Sequence, residues 1–225
     1  MNDSRSFFVS IKDRNPDEWV VLGSGPNSDG WKKYASEKCA NIFCVNGSIM
    51  LCSNPTSYLS TDPAAIRLFA GTRKGIPAET ELILGFDDLV KVTGTSNVEG
   101  LVVRSVGMWA LYLACKIKKA KTVALFGIHG ANNEGRWPTL SRIEGQHNSL
   151  SDGDFDTYVK KFDSASPDDV KTALLEPSRP THANFNTALL IKKMRLLFPE
   201  TLILLMGNGP VADLLNSDHP LGLGA

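Results

Sequence analysis

The sequence predicts an α/β fold: a mostly parallel sheet with helices on both faces and a lid-like insertion. Three observations carry this expectation. Strand-like and helix-like segments alternate along the chain. The strand-like segments are continuous apolar runs, such as Trp19-Val20-Val21-Leu22 and Thr122-Val123-Ala124-Leu125-Phe126. Runs without polar alternation mark strands covered on both faces, which is the habit of parallel sheets. Several of these runs stop at glycine, where a strand turns towards a helix. The expected arrangement is Rossmann-like, a single domain over 1–225 with the insertion at 128–180.

Composition agrees with such a domain. A chain of 225 residues, 42% hydrophobic and 21% charged, is long enough to bury a core and ordinary enough to be globular. Lys+Arg and Asp+Glu balance at 24 each, which gives no nucleic-acid footprint. No apolar stretch reaches the length of a membrane span, and residues 1–15 lack the apolar core of a secretory signal. The default location is therefore cytoplasmic. Cys39, Cys44, Cys52 and Cys115 show no C-x-x-C pair or matching histidine spacing, so reduced, mostly buried thiols are expected rather than zinc or a disulfide framework.

Residues 1–18 read as a polar lead-in. After the strand at Trp19–Leu22, Gly23-Ser24-Gly25-Pro26 makes a tight turn, and Pro26 suits the first turn of a helix. Free N–H groups at such a helix end would attract an anion; the alternative is a plain structural turn, since a third glycine of the dinucleotide pattern would fall at Ser28. A helix is expected over 27–38, with Trp31 and Tyr34 on one side. Strands follow at 41–45, closed by Asn46-Gly47-Ser48, and at 58–60, closed by Thr61-Asp62-Pro63. A helix over 64–70 and a strand over 81–86 come next. Residues 87–104 show no pattern beyond an extended Leu101-Val102-Val103.

Val106, Trp109, Ala110, Leu113 and Ile117 then recur at helical spacing and predict one apolar stripe, with Ser105 as N-cap and Lys116, Lys118 and Lys119 near the end. A strand at 122–126 closes at Gly127. Residues 128–180 are rich in Asn, Gly, Ser, Asp and Pro, and a connection that long reads as a lid; a short helix is expected within it over 168–175. A helix over 181–198 presents Leu190, Ile191, Met194, Leu197 and Phe198. The last strand is 201–206, followed by a second G-x-G-P at Gly207 and a short helix through Leu215. Ligands of parallel sheets bind beyond the carboxyl ends of the strands. That rule gathers 23–27, 46–48, Thr61-Asp62, Ser105 and 127–130 on one rim.

G-S-G-P-N after the first strand, V-N-G after the second, and R-S-V-G-M-W-A-L-Y-L-A followed by T-V-A-L-F-G-I resemble the bacterial lipo-oligosaccharide sialyltransferases. They also resemble a wider group that includes the hydroxymethylpterin pyrophosphokinase-like proteins. The similarity runs from about Trp19 to Met206. It implies a metal-independent, inverting transfer from a CMP-sugar to a glycan acceptor, beneath a lid and with no bound cofactor. By resemblance Gly23, Ser24, Gly25, Pro26, Asn27 and Asn46 hold the nucleotide phosphate and ribose. Thr61 and Asp62 lie near the same groups, and Ser105, Gly127 and His129 border the base. The family's general base matches His182, in R-P-T-H-A-N-F-N-T-A-L-L. Its expected place in the first turn of a helix favours the neutral imidazole a base requires; an ordinary histidine at a helix start is the alternative.

Two departures stand out. The family's aspartate after the glycine-ended strand is His129 here, and the lid tyrosines that meet the leaving phosphate are absent from 130–137. Arg136 and Tyr158 are the candidates for that phosphate. Asp152-Gly-Asp-Phe-Asp156 imitates an acidic metal motif but lacks the glycine and glutamate positions of a calcium loop. It would have a purpose in the second reading, an ATP- and magnesium-dependent pyrophosphokinase. A third reading is a nucleotide or sugar-phosphate binder without catalysis. The acceptor, the sugar and any homo-oligomer stay open.

Overall fold

A computed structural model describes residues 9–23, 25, 30–61, 63, 66, 76–103, 105–128 and 179–216. Among these residues six strands form one sheet: β1 (Asn15–Leu22), β2 (Ala40–Val45), β3 (Ser57–Ser60), β4 (Glu81–Leu84), β5 (Thr122–Phe126) and β6 (Leu202–Leu205). Their spatial order is β4-β3-β2-β1-β5-β6, and every neighbouring pair is parallel. The chain starts in the middle and steps outward through β2, β3 and β4. It then returns to the other side of β1 for β5 and β6. The order reverses between β1 and β5, and that switch point is where a parallel sheet opens a crevice.

Side chains leave each strand alternately to the two faces, and the core divides accordingly. Trp19, Val21, Phe43, Val45, Leu59, Ile83, Val123 and Leu125 pack on one face. Val20, Leu22, Ile42, Cys44, Tyr58, Ala124 and Phe126 pack on the other. The first face is covered by α2 (Phe86–Thr93), α3 (Val106–Lys116), α4 (Arg179–Leu197) and α5 (Pro210–Asn216), through residues such as Leu89, Met108, Leu190 and Val211. The second is covered by α1 (Trp31–Lys38) and by a 3-10 turn, Asn46–Leu51, through Trp31, Ala35, Ile49 and Leu51. The expected Rossmann-like sheet with helices on both faces is thus observed.

Several local expectations need correction. The first helix begins at Trp31 rather than residue 27, with Gly30 in a left-handed conformation as its N-cap (φ 84°). The strand expected over 81–86 stops at Leu84; Gly85 turns the chain and Phe86 opens α2, in the stretch that showed no pattern. Asp87 and Asp88 in the first turn, Lys91 in the last and Gly94 as a left-handed C-cap fit that helix. Leu101 makes only an isolated antiparallel bridge to Val98. The stripe expected on α3 is instead burial all round, because Met108, Leu111 and Tyr112 are covered along with Trp109, Ala110 and Leu113, while Ile117 is the half-exposed C-cap. A helix apolar on every side belongs inside the domain. The expected helices over 64–70 and 168–175 and the lid lie outside the described residues, apart from Pro63, Ile66, Ile128, Arg179 and Pro180 near their margins.

Candidate functional site

Because all six strands are parallel, the segments that follow them share one edge of the sheet. Gly23 follows β1, Asn46 follows β2, Thr61 follows β3 and Gly127 follows β5. The rim expected from the sequence therefore exists for its described members.

At the switch point, backbone meets backbone. Gly23 donates its N–H to Phe126 O (2.7 Å), and Gly25 donates to Gly127 O (3.1 Å). A Cβ on Gly23 would lie 2.5 Å from Gly127 O and 2.5 Å from Ile128 Cδ1. One on Gly127, which is at φ +67°, would lie 2.5 Å from Gly23 O. These glycines let the ends of β1 and β5 touch. The N–H groups of Gly23 and Gly25 already have acceptors and are not the free anion donors the turn suggested. Ser24, Pro26 and Asn27 lie outside the described residues, as do Asp62, His129, Arg136 and Tyr158.

Two buried serines tie the neighbouring strand ends together. Ser48 donates to Leu22 O at the end of β1 and accepts the Val45 N–H (2.8 Å) at the end of β2. Ser60 donates to Asn46 Oδ1 (2.8 Å), which links β3 to β2. Asn46 itself is left-handed (φ 48°), a conformation asparagine tolerates better than most residues. Its amide is thus held by the sheet and half-buried, a fixed polar group at the rim.

Helix α3 begins beside the switch point. A Cβ on Gly107 would meet Ile128 Cδ1 at 2.6 Å, so the absence of a side chain there lets the helix start press against the β5 loop. Ser105 occupies the N-cap, but its side chain makes no capping bond, and the first turn carries no acidic residue. The first N–H groups of an α-helix have no partner within it. The expected N-cap identity of Ser105 holds, while the expected capping hydrogen bond is absent.

His182 falls in the first turn of α4, one helical turn before Asn186. Asn186 donates to Val102 O (2.9 Å), tying α4 to the segment that leads into Ser105. No side-chain geometry is described for His182. Sequence reasoning missed Ser60 and Gly107 as site-forming residues. A glycine inside a helical pattern signals close packing; Ser60 carries no local signal.

Among the described residues, no group of three or more His, Cys, Asp or Glu is placed to hold a metal. No described helix is long and apolar enough to cross a membrane. Fold and rim together define a doubly wound, all-parallel α/β protein with its topological switch point between β1 and β5. No family model, no curated protein and no solved structure matches this chain.

Proposed function

We propose that the protein is a sialyltransferase-like glycosyltransferase. It takes a CMP-sugar as donor and transfers the sugar, with inversion and without a metal, to a glycan acceptor, using His182 as general base. The reading rests on the motifs quoted above and is supported by one structural observation. The uncapped start of α3, with Ser105 free of any capping bond, lies at the switch-point crevice beside the glycine contact of β1 and β5. A helix start of this kind offers N–H donors and a positive end to phosphate. In this reading the nucleotide phosphate is held by α3 and Ser105 rather than by the N–H groups of Gly23 and Gly25. Asn46, fixed by Ser60, faces the ribose side. Fixed donors of this kind stabilise charge on a departing nucleotide without reorganising.

Thermal shift tests the donor class. CMP should raise the melting temperature without a divalent ion, and Ser105→Ala should reduce that rise. His182→Ala should keep CMP binding and lower turnover of a CMP-sugar by roughly 10²–10⁴-fold, the usual scale for a lost general base. Stabilisation only by ATP with magnesium would favour the pyrophosphokinase reading, which gives Asp152–Asp156 a role. CMP stabilisation with no transfer or hydrolysis would leave a non-catalytic binder. Absence of any CMP effect would refute the donor assignment.

A further inference from the structure

Among the described residues no strand lies beyond β6, so one row of its backbone groups faces away from the sheet. The register says which groups these are. Leu202 N–H donates to Lys121 O (2.7 Å), and Met206 N–H donates to Leu125 O (2.9 Å). Residues 202, 204 and 206 therefore turn their backbone groups towards β5. Successive residues of a strand turn these groups to opposite sides, so Ile203 and Leu205 turn theirs outward.

An open edge is a template for another chain, and proteins blunt it with charge, proline or a bulge. The opposite edge strand, β4, carries the charged Glu81, paired with Lys118 (2.8 Å). The run Thr201-Leu202-Ile203-Leu204-Leu205-Met206 has neither charge nor proline, and it pairs with β5 without a bulge. Leu202 on this strand is 57% exposed. The blunting comes from outside the strand. Arg195, in the last turn of α4, donates from Nη2 to Ile203 O (3.0 Å). Its guanidinium holds one of the outward acceptors, has no acceptor of its own to offer, and sets a charge on an otherwise apolar edge.

We propose that Arg195 guards the β6 edge, and that what it turns away is β6 of a second copy of this chain. The edge is complementary to itself. Two antiparallel β6 strands related by a two-fold axis at Leu204 set Ile203 of each against Leu205 of the other. These are the residues with outward N–H and C=O groups, and such a pair exchanges both bonds. Leu204 then meets Leu204, and the exposed Leu202 meets Met206, with no charged side chain on either strand to oppose the match. Half the bonds of that ladder need an Ile203 carbonyl as acceptor, and Arg195 holds it. The two guanidiniums would also be carried to the axis together, where like charges oppose docking. The inference is independent of the function proposed above.

The test is light scattering on the full-length chain over a concentration series. Wild type should show no association that Leu202→Lys weakens. Arg195→Ala and Arg195→Gln should drive the apparent mass towards twice the wild-type value as concentration rises. Adding Leu202→Lys, which puts a charge against Met206 on each side of the axis, should return it to the wild-type value. Arg195 variants that keep the wild-type mass throughout, or whose association is indifferent to Leu202→Lys, would overturn the proposal. So would a wild-type assembly that Leu202→Lys takes apart, an outcome that needs no Arg195 variant to fold.

Discussion

The contact of Gly23 with Gly127 makes a sharp prediction about stability. Consider Gly127→Ala beside Gly94→Ala as its control. Both glycines are left-handed, at φ +67° and φ +71°, so each alanine bears a similar conformational cost of roughly 1 kcal/mol. Around Gly94 nothing lies within 4 Å of the added carbon. Around Gly127 the carbon meets Gly23 O at 2.5 Å, Gly23 C at 2.8 Å and Gly25 N at 2.9 Å. Those are backbone atoms, which cannot swing away as a side-chain end can. Overpacking of this kind costs about 1–3 kcal/mol. Displacing the Gly25 N–H···O Gly127 bond adds about 1 kcal/mol. Gly127→Ala should therefore lose about 4 kcal/mol and Gly94→Ala about 1, against a total stability on the order of 5–15 kcal/mol. In urea, at an m-value of about 2–3 kcal/mol/M, the Gly127 variant's midpoint should fall by about 1.3–2 M. Equal midpoints for the two variants would refute the close-approach account of the switch point.

Three further outcomes are expected. Gly107→Ala gains helix propensity of about 1 kcal/mol but collides with Ile128 Cδ1 at 2.6 Å, so it should destabilise alone and become neutral or stabilising with Ile128→Val; additive denaturation energies would contradict this. Ser48→Ala strips the partners of Leu22 O and Val45 N–H inside the domain and should cost about 1–3 kcal/mol by urea unfolding, whereas a change under 0.5 kcal/mol, taken as about the scale of a surface substitution, would mean the strand ends do not need the link. Burial pushes the Cys115 thiol from 9.0 up to about 12. The folded chain keeps this proton where the unfolded chain loses it, so the contribution is full below pH 9 and drains away as the pH rises towards 12, at up to about 1.4 kcal/mol per pH unit. Cys115→Ala should flatten the alkaline fall in unfolding midpoint; parallel profiles would count against it.

The sheet was legible because strands buried on both faces write themselves as unbroken apolar runs. Thr122–Phe126 was found to the residue, and Trp19–Leu22 marked the buried half of β1. Its outer half, Asn15–Glu18, was missed because those residues are exposed or half-buried and polar. Helix α2 was missed for a different reason: eight residues with two valines and a threonine give a weak helical signal, and the preceding strand's apolar run continues into Phe86. On α3 the stripe was drawn too narrow, since period alone does not say that a helix is walled in by strands on one side and α4 on the other.

The rim was legible as a set of strand ends and not as a set of bonds. Asn46 was picked out, but its holder Ser60 belongs to another strand. Gly23 was picked out as a phosphate turn. Its observed role is to admit Gly127, a contact between residues far apart in the chain that no local pattern encodes.

Helix α3 has a consequence for synthesis. Its partners include β1, β2 and β3, which precede it, and β5 and α4, which follow. A nascent chain that has just released Lys116 presents an eleven-residue apolar rod with half of its housing still inside the ribosome. Vectorial synthesis thus creates a brief interval in which the growing polypeptide is a natural client for a holding chaperone.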